Sequence, residues 1–313
     1  MTTTSAFPTS PSPAATIAAP EALPAELLCD QRCHLGEGPN YDAASDTAWW
    51  FDILERCLFE ARLGTGEIVV HALPIMASAL AMIDDRSQLL ATEHGLMRRD
   101  IAGGTLAMVA PVEADNAATR SNDARVHPSG TFWFSTMGRR AEPGAGTIYA
   151  WHAGTVRPLF PAITIPNAIC FSRDGATGYF ADTAENALYR VRLDPATGLP
   201  LEAPVVLHRH RGQGGLDGAV IDADGLLWCA IWGGARLNAY SPEGELVRSV
   251  AVPASQASCP VFVGRAFDRM LVTSAWQHMD EAARAADPHH GRTFVLDIGV
   301  RGLAEPRARL GGV

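Results

Sequence analysis

Short apolar stretches alternate with polar turns along most of this chain, and one phrase recurs. An apolar residue leads into a turn rich in Asp, Ser or Gly, and an aromatic or branched apolar strand follows. The copies span Tyr41–Trp50, Ile83–Leu90, Val126–Trp133, Phe171–Phe180, Ile221–Trp228 and Phe267–Leu271. With Trp49, Leu90, Trp133, Phe180, Trp228 and Leu271 as markers, the successive steps are 41, 43, 47, 48 and 43 residues. Each copy is followed by a second strand of alternating character, such as Cys57–Ala61 before Gly64-Thr65-Gly66, or Ala187–Val191 before Pro195–Gly198. Six copies at this period predict an all-β, six-bladed β-propeller with one four-stranded sheet per copy. Closure into a ring leaves only short sheet edges. A strand near Leu27–Cys33 is expected to complete the last blade and clasp the two ends of the chain. The single helical candidate, Asp280–Ala286, fits one or two turns inside a loop.

Composition agrees with this pattern. The 313 residues include 29 Gly and 21 Pro, which is what many tight turns need. With 47% hydrophobic and 19% charged residues the chain is neither disordered throughout nor a coiled coil. Residues 25–313 read as one propeller domain. Residues 1–24 are rich in Thr, Ser, Ala and Pro, carry one charged side chain, Glu21, and read as a disordered tail. That segment lacks the basic start and unbroken apolar core of a secretory signal. No apolar run is long enough for a membrane span, so a cytoplasmic protein is expected. A net charge of −9 disfavours nucleic acid as a partner. No obligate protein partner is indicated. The six cysteines are too sparse for a disulfide framework, and Cys29-x-x-x-Cys33-His34 lacks the further ligands of a zinc staple.

Other chemistry is not indicated by motif. There is no GxSxG elbow, no HExxH and no P-loop lysine. Four polar phrases stand out instead, each just before a blade phrase: Leu35-Gly-Glu37-Gly-Pro39, Arg120-Ser-Asn122-Asp-Ala124, Ile165-Pro-Asn167-Ala-Ile169 and Gly215-Leu-Asp217-Gly-Ala219. Equivalent points of different blades converge on the channel of a propeller. Two carboxylates and two amides would meet there. Hard oxygen donors of this kind suit Ca²⁺ best, and also Mg²⁺, Mn²⁺ or Zn²⁺. Taken singly, Asn and Asp beside Gly and Pro also make turns.

With these phrases in order, the chain resembles the SMP-30/gluconolactonase/luciferin-regenerating family. The resemblance is carried by LGEGP with WWFDI, SNDARVHPSGTFWFSTMG, PNAICFSRDG with GYFADT, and LDGAVIDADGLLWCAIWGG. It covers about Leu27 to Asp297, and TMGRRAEPGAGTIY looks most like bacterial sugar lactonases. The resemblance implies a six-bladed propeller with one divalent cation in the channel and hydrolysis of aldonolactones. It implies Glu37, Asn167 and Asp217 as metal ligands, Asp217 as general base, and Arg120, Asn122 and Glu142 as substrate-binding residues. Two departures bear on the pocket: NDG of the family reads Asn122-Asp123-Ala124, and a CPxFGG-like segment reads Cys259-Pro-Val-Phe-Val-Gly264. The implied substrate is a small sugar lactone. A metal-propeller esterase or phosphotriesterase, and a calcium-binding propeller without turnover, remain open at this point.

Overall fold

A computed structural model of the chain describes residues 19–311. Six antiparallel sheets of four strands follow one another around a ring. Blade 1 runs from its inner strand Gly36–Asp42 out to Glu67–Ala72, and blade 2 from Ala77–Asp84 to Leu106–Pro111. Blade 3 runs from Thr119–Val126 to Thr155–Ile163, blade 4 from Pro166–Phe171 to Val205–Arg209, and blade 5 from Gly215–Ile221 to Leu246–Ala251. Blade 6 takes Ala257–Val263, Arg269–Ser274 and Thr293–Leu296 from the end of the chain and Ala25–Cys29 from its start. The expected closing strand is therefore present, antiparallel to Thr293–Leu296, with Ala25 opposite Leu296.

Burial explains why the blade phrases read as they do. Second strands such as Thr47–Asp52 are buried at every position, because a neighbouring blade covers each face. Outer strands such as Glu67–Ala72 are largely exposed and carry polar residues. Six apolar clusters fill the six gaps between blades. The markers Trp133 and Trp228 are fully buried in two of these clusters, while Trp50, next to the marker Trp49, fills a third. Glu281–Ala286 is the one helix among the described residues, capped by Asp280, whose side chain accepts from the Ala283 amide. No helix among the described residues is long and apolar enough to cross a membrane.

Both chain ends depart from the pattern read in the sequence. Residues 1–18 of the expected tail lie outside the described residues. Its last residues join the folded body: Glu21 bridges the outer strand of blade 5, donating to Ser249 O and accepting from Ala251 N, both at 2.8 Å. The Glu21 carboxylate also takes a forked contact from Arg248 at 2.9 and 2.8 Å. The domain thus begins by Glu21, because an exposed sheet edge and an arginine both await it. After Leu296 the chain forms a strap that periodicity did not announce. Backbone bonds tie Arg301 to Ala223, Gly302 to Phe267, Ala308 to Met82 and Arg309 to Gly130. Those partners all lie in or beside turns at the far end of the inner strands, so the strap crosses one face of the ring.

Removing residues 1–30 would take away the outer strand of blade 6 and bare the edge of Thr293–Leu296. A chain beginning at Gln31 is expected to melt several degrees lower than the full chain and to aggregate. Thermal melting with light scattering checks this, and an unchanged midpoint without aggregation would refute it.

Candidate metal and substrate site

Every inner strand breaks register with its neighbour near the same end. The irregularities fall between Glu37 and Asn40, Ala77 and Ala79, Ser121 and Ala124, Asn167 and Cys170, Leu216 and Ala219, and Ala257 and Pro260. A bulge turns side chains that would otherwise alternate across the sheet. Asn122 and Asp217 are bulge residues themselves, whereas Glu37 and Asn167 immediately precede their bulges. In those last two blades the next residue is left-handed: Gly38 at φ +56° and Ala168 at φ +53°. The corresponding serines of blades 2 and 6 brace neighbours. Ser78 bonds the Asn122 carbonyl, and Ser258 bonds the Gly36 carbonyl at 2.6 Å.

The result is a cavity of about 330 Å³ at one mouth of the channel, lined among others by Glu37, Arg120, Asn122, Asn167 and Asp217. All five are buried. A chain of hydrogen bonds fixes the amides. Arg120 Nη1 donates to Asn122 Oδ1 at 2.8 Å, and Asn122 Nδ2 donates to Asn167 Oδ1 at 2.8 Å. Asn167 Nδ2 donates to Thr183 Oγ1 at 2.9 Å, and Thr183 donates to Leu216 O at 2.6 Å. One network thus joins blades 3, 4 and 5. Glu37 Oε2 accepts from the Gly38 amide at 2.9 Å.

The carboxylates are under electrostatic stress. Burial first, and Asp123 next, push the Glu37 pKa above the usual carboxylate range. Burial first, and Glu37 next, raise Asp217. Asp123, one residue past Asn122, is raised to about 6, chiefly by burial, with Arg125 pulling the other way. Its oxygens accept from the Ala124 amide at 2.8 Å and the Ile169 amide at 2.7 Å, which ties the bulges of blades 3 and 4 together. Burial lowers Arg120 to about 10.

These residues fit a divalent cation on their chemistry. Among the described residues no group of three His, Cys, Asp or Glu side chains forms a metal cluster. The set here is instead two carboxylates and amide oxygen, all hard donors. Charge points the same way. Glu37, Asp123 and Asp217, with Glu305 whose side chain is 10% exposed, set four carboxylates against the two guanidinium groups of Arg120 and Arg125. Arg139, also at the cavity, is already paired with Glu93. With all four carboxylates ionised, as a bound cation would favour, two negative charges are left over, which one divalent ion would match.

Glu142 stands apart from the other expected substrate contacts. It is not among the residues lining the cavity. Its carboxylate holds Arg140, accepting from Nε at 3.0 Å and from the backbone amide at 3.1 Å. Arg140 and Ala141 line the mouth instead, with Ala141 left-handed at φ +54°. Sequence reasoning also passed over Trp232, at the end of the second strand of blade 5, and Gln277 and His278, in the loop after the second strand of blade 6, which line the same cavity. Trp232 lies inside the LLWCAIWGG stretch without standing out from its apolar neighbours, and no motif marks Gln277 or His278. Both departures from the family pattern fall outside the lining: Ala124 packs in the core between blades 2 and 3, and Val263, in place of a glycine, packs in the core between blades 6 and 1.

Six blades around a channel, with buried oxygen donors gathered at one mouth, make this a β-propeller with its candidate site in the channel. Residues 35–276 match the SMP-30/Gluconolactonase/LRE-like region, and the chain belongs to this family. A Rhizobium meliloti (strain 1021) protein, provisionally named a sugar lactone lactonase, is 52% identical over 90% of this chain and 96% of its own. An L-arabinolactonase from Azospirillum brasilense is 33% identical over 90% of this chain and 95% of its own. A crystal structure described as regucalcin, a calcium-binding protein from Agrobacterium tumefaciens, superposes with a TM-score of 0.92. It has 49% identity and covers 94% of this chain and 100% of its own.

The bulge glycine provides a direct check of this geometry. A Cβ on Gly38 would stand 2.0 Å from Ser78 O, in a left-handed conformation besides. Gly38→Ala is expected to cost about 2 kcal/mol or more. Ala168→Gly, which relieves the same backbone conformation, is expected to stay within about 1 kcal/mol of wild type. Denaturant unfolding midpoints decide between these outcomes and equal effects.

Proposed function

We propose that this protein hydrolyses a sugar lactone to the corresponding aldonic acid, with a divalent cation, Ca²⁺ in the first instance, held by Glu37, Asn167 and Asp217. The observation that carries the reading is one cavity with two kinds of equipment. It holds a hard-oxygen donor set and, beside it, an anchored guanidinium and amide suited to sugar hydroxyls. A site for an ion alone has no need of Arg120. The lactonase names of the relatives support the same reaction.

When bound, the cation supplies Lewis-acid polarisation of the lactone carbonyl. The rest falls to the chain. Arg120 and Asn122 bind hydroxyl oxygens of the sugar and set the ring against Asp217. Asp217, raised by burial and by Glu37, is a better base than an exposed carboxylate. It takes a proton from the attacking water, whose oxygen bonds to the carbonyl carbon. The bond from that carbon to the ring oxygen then breaks, and the ring oxygen leaves as a hydroxyl after accepting a proton. Leu35, Met137, Ile165 and Trp232 line the cavity and limit the water around the reacting bond. Six free cysteines accord with a reducing, cytoplasmic setting.

A pH-indicator assay over five- and six-carbon aldonolactones, with and without added divalent ions, tests the reading. Turnover that falls with EDTA and returns with Ca²⁺ is the expected result. Turnover of simple esters or phosphotriesters alone would favour the esterase reading, and ion binding without any turnover a calcium-binding propeller. Asp217→Asn is expected to lower kcat by at least about a hundredfold while the thermal melt stays cooperative. Wild-type rates in that variant would sink the assignment of the base. Arg120→Ala is expected to raise KM about tenfold or more, and an unchanged KM would remove it from the substrate site.

A further inference from the structure

The channel has a second polar tier beneath the site, and the strap supplies part of it. Arg125, six residues before the turn at Thr131, is buried with its guanidinium across the channel. Nη2 donates to Ala219 O at 2.8 Å, two residues beyond Asp217 on the inner strand of blade 5. Nη1 pairs with Glu305 Oε1, and both side chains are about nine-tenths buried. A second cavity, of about 310 Å³, opens around this pair at the far mouth, between Leu303–Pro306 of the strap and the inner strands of blades 3 to 5. Burial works against the Arg125 charge, yet Glu305 above all holds its pKa above the normal guanidinium value. Arg125 in turn draws Glu37 downward, so its charge is felt at the upper tier.

We infer that Glu305 is a positioning residue for the cation site, acting through Arg125. By neutralising that guanidinium from below, the strap keeps the channel at the two negative charges that one divalent ion matches. This inference rests on the cation reading given above. Without the Glu305 charge, Arg125 stands uncompensated beneath Glu37 and Asp217 and opposes the ion. With both members of the pair removed, Glu37, Asp123 and Asp217 face Arg120 alone, and the excess of two negatives returns.

Isothermal titration of the full chain with Ca²⁺, Mg²⁺, Mn²⁺ and Zn²⁺ tests this, with thermal melts as the check on folding. Glu305→Gln is expected to weaken binding of the preferred ion about tenfold. The double variant Arg125→Met with Glu305→Gln is expected to return to within about threefold of wild type. Equal affinity in Glu305→Gln, or a double variant as weak as the single one, would overturn the inference while leaving the cation reading intact. Failure of the wild-type protein to bind any of these ions would overturn both. Should Glu305→Gln not fold, Arg125→Met alone leaves three negative charges in excess and is expected to bind more tightly. Unchanged or weaker binding there would count against the inference equally.

Discussion

Two carboxylates, Glu37 and Asp217, are held out of water in one channel, and burial makes both harder to ionise, with Asp123 adding to the effect on Glu37 and Glu37 to that on Asp217. That stress is the constraint around which the middle of the ring is arranged. An isolated buried charge is too costly to keep, so such groups survive only with partners. Here the partners come in tiers. Arg120 and the amide network stand at the level of the site, and Asp123, Arg125 and Glu305 stand beneath it. A chain folded only for stability would fill such a channel with apolar side chains.

The ring makes this interior possible by keeping stability elsewhere. Each gap between blades has its own apolar cluster, and the second strands are covered on both faces. The inner strands are thereby relieved of supplying most of the core, and their ends are free to bulge. Bulges at one level in six strands turn a repeated structural unit into a converging set of different side chains. Repetition fixes position, and substitution at that position fixes function. Glu, Ser, Asn, Asn, Asp and Ser at or beside the bulges of blades 1 to 6 are six solutions to one local geometry.

Much of this was legible in the sequence, because each blade repeats a local grammar of turn and strand. Glu37, Arg120, Asn122, Asn167 and Asp217 could be grouped because they occupy the same place in that grammar. Glu142 could not be placed with equal success. It lies in an irregular segment next to the left-handed Ala141, where no period fixes which side chain meets the cavity. Gln277 and His278 reach the site from a loop that follows no period, and Trp232 ends a strand whose apolar run reads as core. Glu305 was invisible for a similar reason: the strap has no alternation, and its partner lies far away in the chain. The start of the domain was missed because Glu21 belongs to no strand of its own and gains its place only from the edge it meets.

The sixth blade joins the first strand of the fold to three of the last. During synthesis the other five blades can pair as they emerge, each from contiguous chain. Ala25–Cys29 must wait until Thr293–Leu296 has been made, which places the longest-range pairing at the end of the folding sequence. Until then the nascent ring is an open arc with an unpaired strand and a channel still reachable by water from the side. Closure of that seam is what turns an arc of stable sheets into a vessel with an inside.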